Sequence, residues 1–368
     1  MKTLLTVIGA RPQWIKASAM SRVLNTNAHG LGEHVVHTGQ HVSADMSEVF
    51  FQELGMNEPG TRLQVDSDVS LRMGQMMHGI SESIGRVKPD AVLVYGDTDS
   101  TLAGAWAASR SGVPLIHMEA GLRSFDRAMP EEVNRILTDQ LSDVLLCPSH
   151  AAVQQLHSEG IYTDCRPGVL VQASGDLMLD TARWIGGAPT PVIPTSKKVL
   201  LTLHRPSNVD DPDQLHRWMD AIRSSIKQHG FHVIFPVHPR TAHALKKVFG
   251  SEWSSQMRTW GIDVQPPAGY VQMTDWLKEV VAVWTDSGGL QKEAFFFHRP
   301  ALVLRTTTEW TELLDVGATE LCKDPSELVE RSSGMLHRKY KGVFETDLFG
   351  DGRAAEHIAE ALQAWFQK

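Results

Sequence analysis

Three carboxylates stand where the chain is rigid. Glu119 follows the apolar run VPLIH at a strand end, Glu131 follows Pro130 in the first turn of a helix, and Asp97 follows the strand AVLVY and Gly96. Proline is tolerated in a first helical turn because its missing N–H would have no partner there. Taken alone, Asp97 is a turn or N-cap residue. Three carboxylates at the ends of consecutive elements form an acidic cluster, because a parallel sheet gathers its ligands at strand C-termini.

Two further sets suit an anion. Arg11 and Lys16 flank the start of a helix that follows the first strand and the turn Gly9-Ala10. A strand, a tight turn and a helix N-terminus make an anion site, and cations sharpen it. The later glycines of the dinucleotide fingerprint are missing. In the second half, Asp286-Ser287-Gly288-Gly289 opens a helix after an apolar strand. Glycine allows close backbone approach, the helix end offers free N–H groups to a phosphate, and Ser287 adds a hydroxyl. Glu293, a turn further on, is placed to reach a ribose diol.

His204 and Arg205 follow another strand. A loop histidine there can donate to a phosphate or a leaving oxygen. His238 reads as structural. No histidine pair has metal-ligand spacing and no G-x-S-x-G elbow is present, so neither a metal nor a nucleophilic triad is expected. Trp14, Trp106, Trp276 and Trp284 read as core, whereas Trp310 follows a strand end and reads equally as pocket wall or packing.

The elements that must position these groups alternate. Strands are predicted at residues 3–8, 33–37, 91–95, 144–147 and 169–173, with helices between, among them 46–54 and 71–87. The stretch 186–196, GGAPTPVIPTS, has linker composition. Beyond it the pattern restarts, with strands at 198–203, 231–237, 262–265, 281–285 and 301–304 and a last helix at 354–367. This predicts an α/β protein of two doubly wound Rossmann-like domains, 1–185 and 186–368, with an interdomain cleft. The last helix has the option of packing back on the first domain.

The 368 residues carry a formal charge of −8, which argues against a nucleic-acid partner. The three cysteines, Cys147, Cys165 and Cys322, are far apart and fit a reducing compartment. Arg11 interrupts the apolar start, and no run approaches membrane-spanning length. A cytoplasmic protein without membrane insertion is expected.

In this order, the motifs are G-A-R-P-Q-W-I-K from Gly9, T-G-Q-H from Thr38, Y-G-D-T from Tyr95, H-M-E-A-G-L-R-S from His117 and M-P-E-E-V-N-R from Met129. H-R-P-S-N from His204, P-V-H-P from Pro236, T-D-S-G-G-L-Q-K-E from Thr285, T-T-E-W from Thr307 and F-G-D-G-R from Phe349 complete them. With them the chain resembles, over nearly its whole length, the non-hydrolysing UDP-N-acetylglucosamine 2-epimerases, which have a glycosyltransferase-B-like fold. The resemblance implies inversion at C2 of a UDP-bound acetamido sugar. UDP is eliminated anti to give a 2-acetamidoglycal and is then added back, with no nicotinamide, metal or other cofactor.

By motif position, Asp97, Glu119 and Glu131 resemble the acid/base carboxylates and His204 the residue on the diphosphate. Arg11 and Lys16 resemble ligands of the nucleotide sugar, Ser287, Gly288 and Gly289 its phosphate cradle, and Glu293 the ribose-binding glutamate. Gln40 and His41 match a region that holds a second, regulatory sugar nucleotide. The resemblance also implies a homodimer through first-domain helices.

The chain departs from the best-known branch at Pro206 and Ser207, at Trp310-Thr311, and at Met273, which replaces an aromatic residue near the uracil site. These departures, with G-L-R-S-F at Gly121, are similar to the branch acting on UDP-2,3-diacetamido-2,3-dideoxy-glucuronic acid in surface polysaccharide and O-antigen synthesis. Arg123, Arg127 and Arg205 are the cations near the motifs for a uronate. UDP-GlcNAc is the other candidate substrate. A hydrolysing 2-epimerase and a UDP-sugar-dependent glycosyltransferase are the alternatives that share the fold.

Overall fold

The computed structural model describes residues 1–26, 28–40, 53–187 and 197–368. His41, the helix expected at 46–54 (except its last two residues) and most of the 186–196 linker lie outside them. The chain forms two compact units. Met1–Trp184 with Asp347–Lys368 makes the first, and Ile185–Thr346 the second.

The first unit runs β1 (Lys2–Ile8), α1 (Arg11–Leu24), β2 (Leu31–His37), β3 (Thr61–Arg62), α2 (Val69–Val87), β4 (Ala91–Tyr95) and α3 (Asp99–Ser111). It continues with β5 (Leu115–Met118), α4 (Pro130–Leu141), β6 (Val144–Cys147), α5 (His150–Ser158), β7 (Leu170–Ala173) and α6 (Leu177–Gly186). The strands form one parallel sheet in the order β3-β2-β1-β4-β5-β6-β7. β4 is buried along its length, which is why it reads as an uninterrupted apolar run. The order reverses between β1 and β4, so the loops after these strands diverge and leave room for a ligand.

Local sequence sets the helix ends that matter here. The Thr98 side chain accepts from the Thr101 N–H and caps α3, and Gly112 ends that helix in the left-handed region. Small residues of α3, Ala103, Gly104, Ala107 and Ala108, let it lie close on the sheet. Trp106 does not share that face. It is 49% exposed, which corrects its reading as core. Spaced between the alanines on a helix whose inner face is already filled, it projects outward.

The second unit runs β8 (Lys198–Thr202), α7 (Pro206–Val209), α8 (Pro212–His229), β9 (His232–Pro236), α9 (Pro239–Phe249), α10 (Trp253–Thr259), β10 (Ile262–Gln265), α11 (Tyr270–Glu279) and β11 (Ala282–Thr285). Then follow α12 (Gly288–Phe296), β12 (Ala301–Val303), α13 (Thr311–Asp315), β13 (Thr319–Leu321) and α14 (Leu328–His337). Its parallel sheet has the order β10-β9-β8-β11-β12-β13, again reversing beside its first strand, between β8 and β11. Leu201, Trp218, Phe235 and Trp284 fill its core.

The last helix, α15 (Ala354–Trp365), belongs to the first unit and packs on α1. Asp180 of α6 holds its start by accepting from the N–H groups of Ala354 at 3.0 Å and Ala355 at 2.8 Å. This satisfies two of the four N–H groups that a helix start leaves open.

Candidate active site

In the first unit, the charged residues gather where β1, β4 and β5 end. Gln13 ties two of these ends together. Its Oε1 accepts from the N–H groups of Gly9 (2.8 Å) and Ala10 (2.9 Å), and its Nε2 donates to the Tyr95 carbonyl (2.9 Å) and Thr101 Oγ1 (3.0 Å). Lys16, on the same helix, forms an ion pair with Glu119, both side chains being more than nine-tenths buried. Gly96 stands against this pair. Its φ is +66°, and a Cβ there would lie 3.2 Å from Glu119 Oε2 and 3.6 Å from Lys16 Nζ. Glycine is thus required at this turn for its backbone and for its space.

Glu119 itself has φ +64°, an uncommon left-handed conformation for a residue with a side chain. Arg135 of α4 helps hold it. Its Nη1 donates to the Glu119 carbonyl at 3.1 Å while its other arm forms an ion pair with Asp97. Asn134 adds a bond to the Asp97 carbonyl at 3.0 Å. These bonds hold the unusual backbone conformation of Glu119 in place at the strand end. Lys16 and Glu119 also line a small pocket with Ser174, Asp176, Leu177 and Ile358 of α15.

Behind this cluster is a buried support. His117 Nδ1 donates to Asp139 at 2.7 Å and its Nε2 to the Gly96 carbonyl at 2.8 Å, so both ring nitrogens donate and the turn before Asp97 is fixed. Burial pushes the Asp139 carboxyl up, but the hydrogen bond and charge of His117, and then Arg123, outweigh it and leave the group below its ordinary value.

The sequence assignments divide at this point. Asp97, Glu119 and Lys16 come together. Glu131 sits in the first turn of α4, exposed to solvent. Arg11 begins α1, half-buried. Gln40 spends its Oε1 on the N–H and hydroxyl of Ser100, at 3.0 and 2.6 Å. Arg123, a candidate ligand by sequence, meets two carboxylates of its own unit. It is buried, with Nε and Nη2 on Glu159 at 2.8 and 2.7 Å and Nη1 on Asp139 at 2.7 Å. A guanidinium with its planar fork occupied by two carboxylates is committed to the fold.

In the second unit, His204 and Arg205 follow the end of β8, and Asp286 follows the end of β11. Asp286 is fully buried. Its Oδ2 accepts from the N–H groups of His204 and Arg205, each at 2.8 Å, and from Asn208 Nδ2 at 3.1 Å. Its Oδ1 lies 3.1 Å from His204 Nδ1. Burial raises this carboxyl, and the His204 contact with the two backbone donors more than reverses that, leaving it lowered. Arg205 Nε donates to the Asp286 carbonyl at 3.0 Å.

Ser287 caps α12, and its own N–H goes to Thr285 Oγ1 at 2.9 Å. Gly288 leads the helix directly under the Glu309 carboxylate, which a Cβ there would displace. Gly289 follows, and Glu293 is buried one turn on. Trp310 is buried, with Lys292 Nζ 4.1 Å from its ring centre in a cation–π contact. Met273 is buried on α11. Gln13, Arg135, Asp139 and Asp286 were not assigned roles from sequence. Gln13, Arg135 and Asp286 lie inside the motifs, which is the signal that marked them.

The paired parallel sheets and their solved neighbours define a glycosyltransferase-B-like protein. The UDP-N-acetylglucosamine 2-epimerase profile matches residues 24–363. A UDP-2,3-diacetamido-2,3-dideoxy-D-glucuronate 2-epimerase of Pseudomonas aeruginosa is 42% identical over 98% of this chain and 99% of its own. A UDP-N-acetylglucosamine 2-epimerase of Methanocaldococcus jannaschii is 35% identical over 97% of both. The crystal structure of a Methanocaldococcus jannaschii UDP-GlcNAc 2-epimerase with UDP-GlcNAc and UDP superposes with a TM-score of 0.87 at 32% identity, covering 99% of this chain and 100% of that one. The chain belongs to the UDP-N-acetylglucosamine 2-epimerase family.

Proposed function

We propose that this protein is a non-hydrolysing 2-epimerase of a UDP-2-acetamido sugar, with UDP-2,3-diacetamido-2,3-dideoxy-glucuronate as its substrate. The observation that carries the reading is the buried Lys16–Glu119 pair beside Asp97 at the strand ends of the first sheet. The substrate choice draws support from the 42% relative, whose name states that sugar.

A carboxylate of the set Asp97, Glu119 and Glu131 takes the C2 proton as the C1–oxygen bond to the diphosphate breaks, leaving UDP and the 2-acetamidoglycal. A carboxylate on the other face returns a proton to C2 as the diphosphate oxygen re-adds at C1. The C2 proton is not acidic in the ground state, so its loss has to be coupled to leaving-group departure. His204, Arg205 and the N-terminus of α12 at Ser287, Gly288 and Gly289 stabilise the charge growing on the diphosphate. Arg11 and Lys16 are assigned to the nucleotide sugar, Glu293 to the ribose, and Met273 to the wall near the base.

We assign the protein to the cytoplasm as a homodimer. Its three cysteines are free. Trp106 on α3 and Val133 and Leu137 on the adjacent α4 are 49%, 39% and 45% exposed, an apolar face suited to a second copy.

The test is kcat/KM on the diacetamido uronate and on UDP-GlcNAc, with products identified by NMR. The uronate should turn over with its nucleotide linkage kept, and UDP-GlcNAc should lag by about 10²-fold or more because the groups meeting the carboxylate and the 3-acetamido group go unpaired. Equal efficiency, or preference for UDP-GlcNAc, overturns the substrate. Release of free UDP and free sugar overturns the epimerase.

A further inference from the structure

We propose that Asp286 is the positioning residue of His204, anchoring the imidazole through Nδ1 so that Nε2 is the atom offered to the ligand. What Nε2 touches rests on the proposed function. The anchoring rests on geometry alone.

Asp286 cannot turn. Three donors fix Oδ2, namely the N–H groups of His204 and Arg205 and the Asn208 amide, and Asn208 is itself held by the Leu304 carbonyl at 2.9 Å and by Trp218 Nε1 at 3.1 Å. The second oxygen, Oδ1, is buried, is met by no well-aligned donor among the described residues, and has His204 Nδ1 as its ion-pair neighbour at 3.1 Å. A carboxylate only accepts, so Nδ1 carries the hydrogen. The His204 side chain is 39% exposed, which leaves its other edge accessible.

Among the described residues, the charged or titratable groups around the ring have these further contacts. His238 of the β9–α9 junction has its ring centre 6.1 Å away, and its Nδ1 accepts from the Arg240 N–H. The Arg240 guanidinium is taken up by Asp210. Arg205 reaches back to the Asp286 carbonyl. Asp286 is therefore the acceptor that sets the tautomer of His204, in the manner of a buried carboxylate behind a working histidine.

Asp286→Asn tests this, because its Oδ1 can keep the backbone donors while its amide N–H meets Nδ1 and demands a lone pair there. With the proposed substrate, kcat/KM should fall about 10²-fold. In a His204→Asn background, Asp286→Asn should add no further loss. An equal loss in both backgrounds would show that Asp286 merely shapes the turn, and overturn the proposal.

The ¹⁵N spectrum of ligand-free wild type decides the same point without turnover, with His204 assigned by its absence in His204→Asn. The neutral ring should carry its hydrogen on Nδ1. A hydrogen on Nε2 with Nδ1 bare would contradict the proposal. If no UDP sugar is turned over, the proposed function falls while the spectrum still decides the role of Asp286.

Discussion

At the residue scale, burial separates groups that hold the site from groups that work in it. Lys16 and Glu119 are both buried, so Lys16→Met should cost about 3–5 kcal/mol of stability by leaving Glu119 without its cation. Adding Glu119→Gln should restore part of the melting temperature and none of the activity. Glu131 is exposed, so Glu131→Gln should change stability by less than about 0.5 kcal/mol. Its kcat should nevertheless drop about 10²-fold or more if the carboxylate moves a proton. Arg123→Met should behave in the opposite way. It should lower stability by about 3 kcal/mol, because Asp139 and Glu159 lose their shared cation, and leave KM of the folded protein unchanged. Thermal melts and steady-state kinetics on the same samples separate these outcomes. Charge and motif placed Arg123 among candidate ligands because sequence shows a cation but not its partners. Asp139 and Glu159 become its neighbours only through the packing of α4 and α5. Asp97 and Glu119 were legible for a simpler reason, since their places follow from strand ends that the apolar runs mark directly.

At the element scale, α15 is fastened by a carboxyl with a shifted titration. Burial raises Asp180 to about 6, outweighing its bonds to the Ala355 and Ala354 N–H groups, and Asp176 and Asp351 push it further up. A carboxyl raised in the folded state contributes stability that is fully present below its unfolded value near 3.8 and is lost as pH rises through about 6. The melting temperature of wild type relative to Asp180→Asn should therefore decline between about pH 4 and 6 and level off above. A flat difference across that window would contradict the assignment. Buried strands and proline-led helices were the readable elements. The strands at 91–95, 144–147 and 262–265 have the predicted bounds, and α4 starts at Pro130 as its sequence indicates. The missed elements lack such signals. β13 spans three residues, β3 spans two, and α14 carries Ser-Ser-Gly at its centre, where helix propensity is weak. α6 begins directly after the β7 turn, where Asp176 accepts from the Met178 N–H at 2.8 Å, a capping residue that the sequence reading left unused.

At the scale of the whole molecule, each unit repeats one device, a parallel sheet whose strand order reverses beside its first strand and whose loops carry the charged residues at that reversal. The alternation of apolar runs and amphipathic stretches made that plan legible. The assembly was not legible in the same way, because Trp106 reads as core by composition and is exposed in the fold. If α3 and α4 form the dimer face, Trp106→Glu should convert the protein to a monomer by light scattering with its melting curve otherwise cooperative. A variant that remains a dimer would move the interface elsewhere. The central claim, proton exchange at C2 coupled to reversible loss of UDP, is tested most directly in D₂O. Wild type incubated with the UDP-diacetamido uronate should yield the C2 epimer with one deuterium at C2, the UDP linkage intact and free UDP absent at equilibrium. Epimerised product without deuterium at C2, or stoichiometric free UDP, would contradict it.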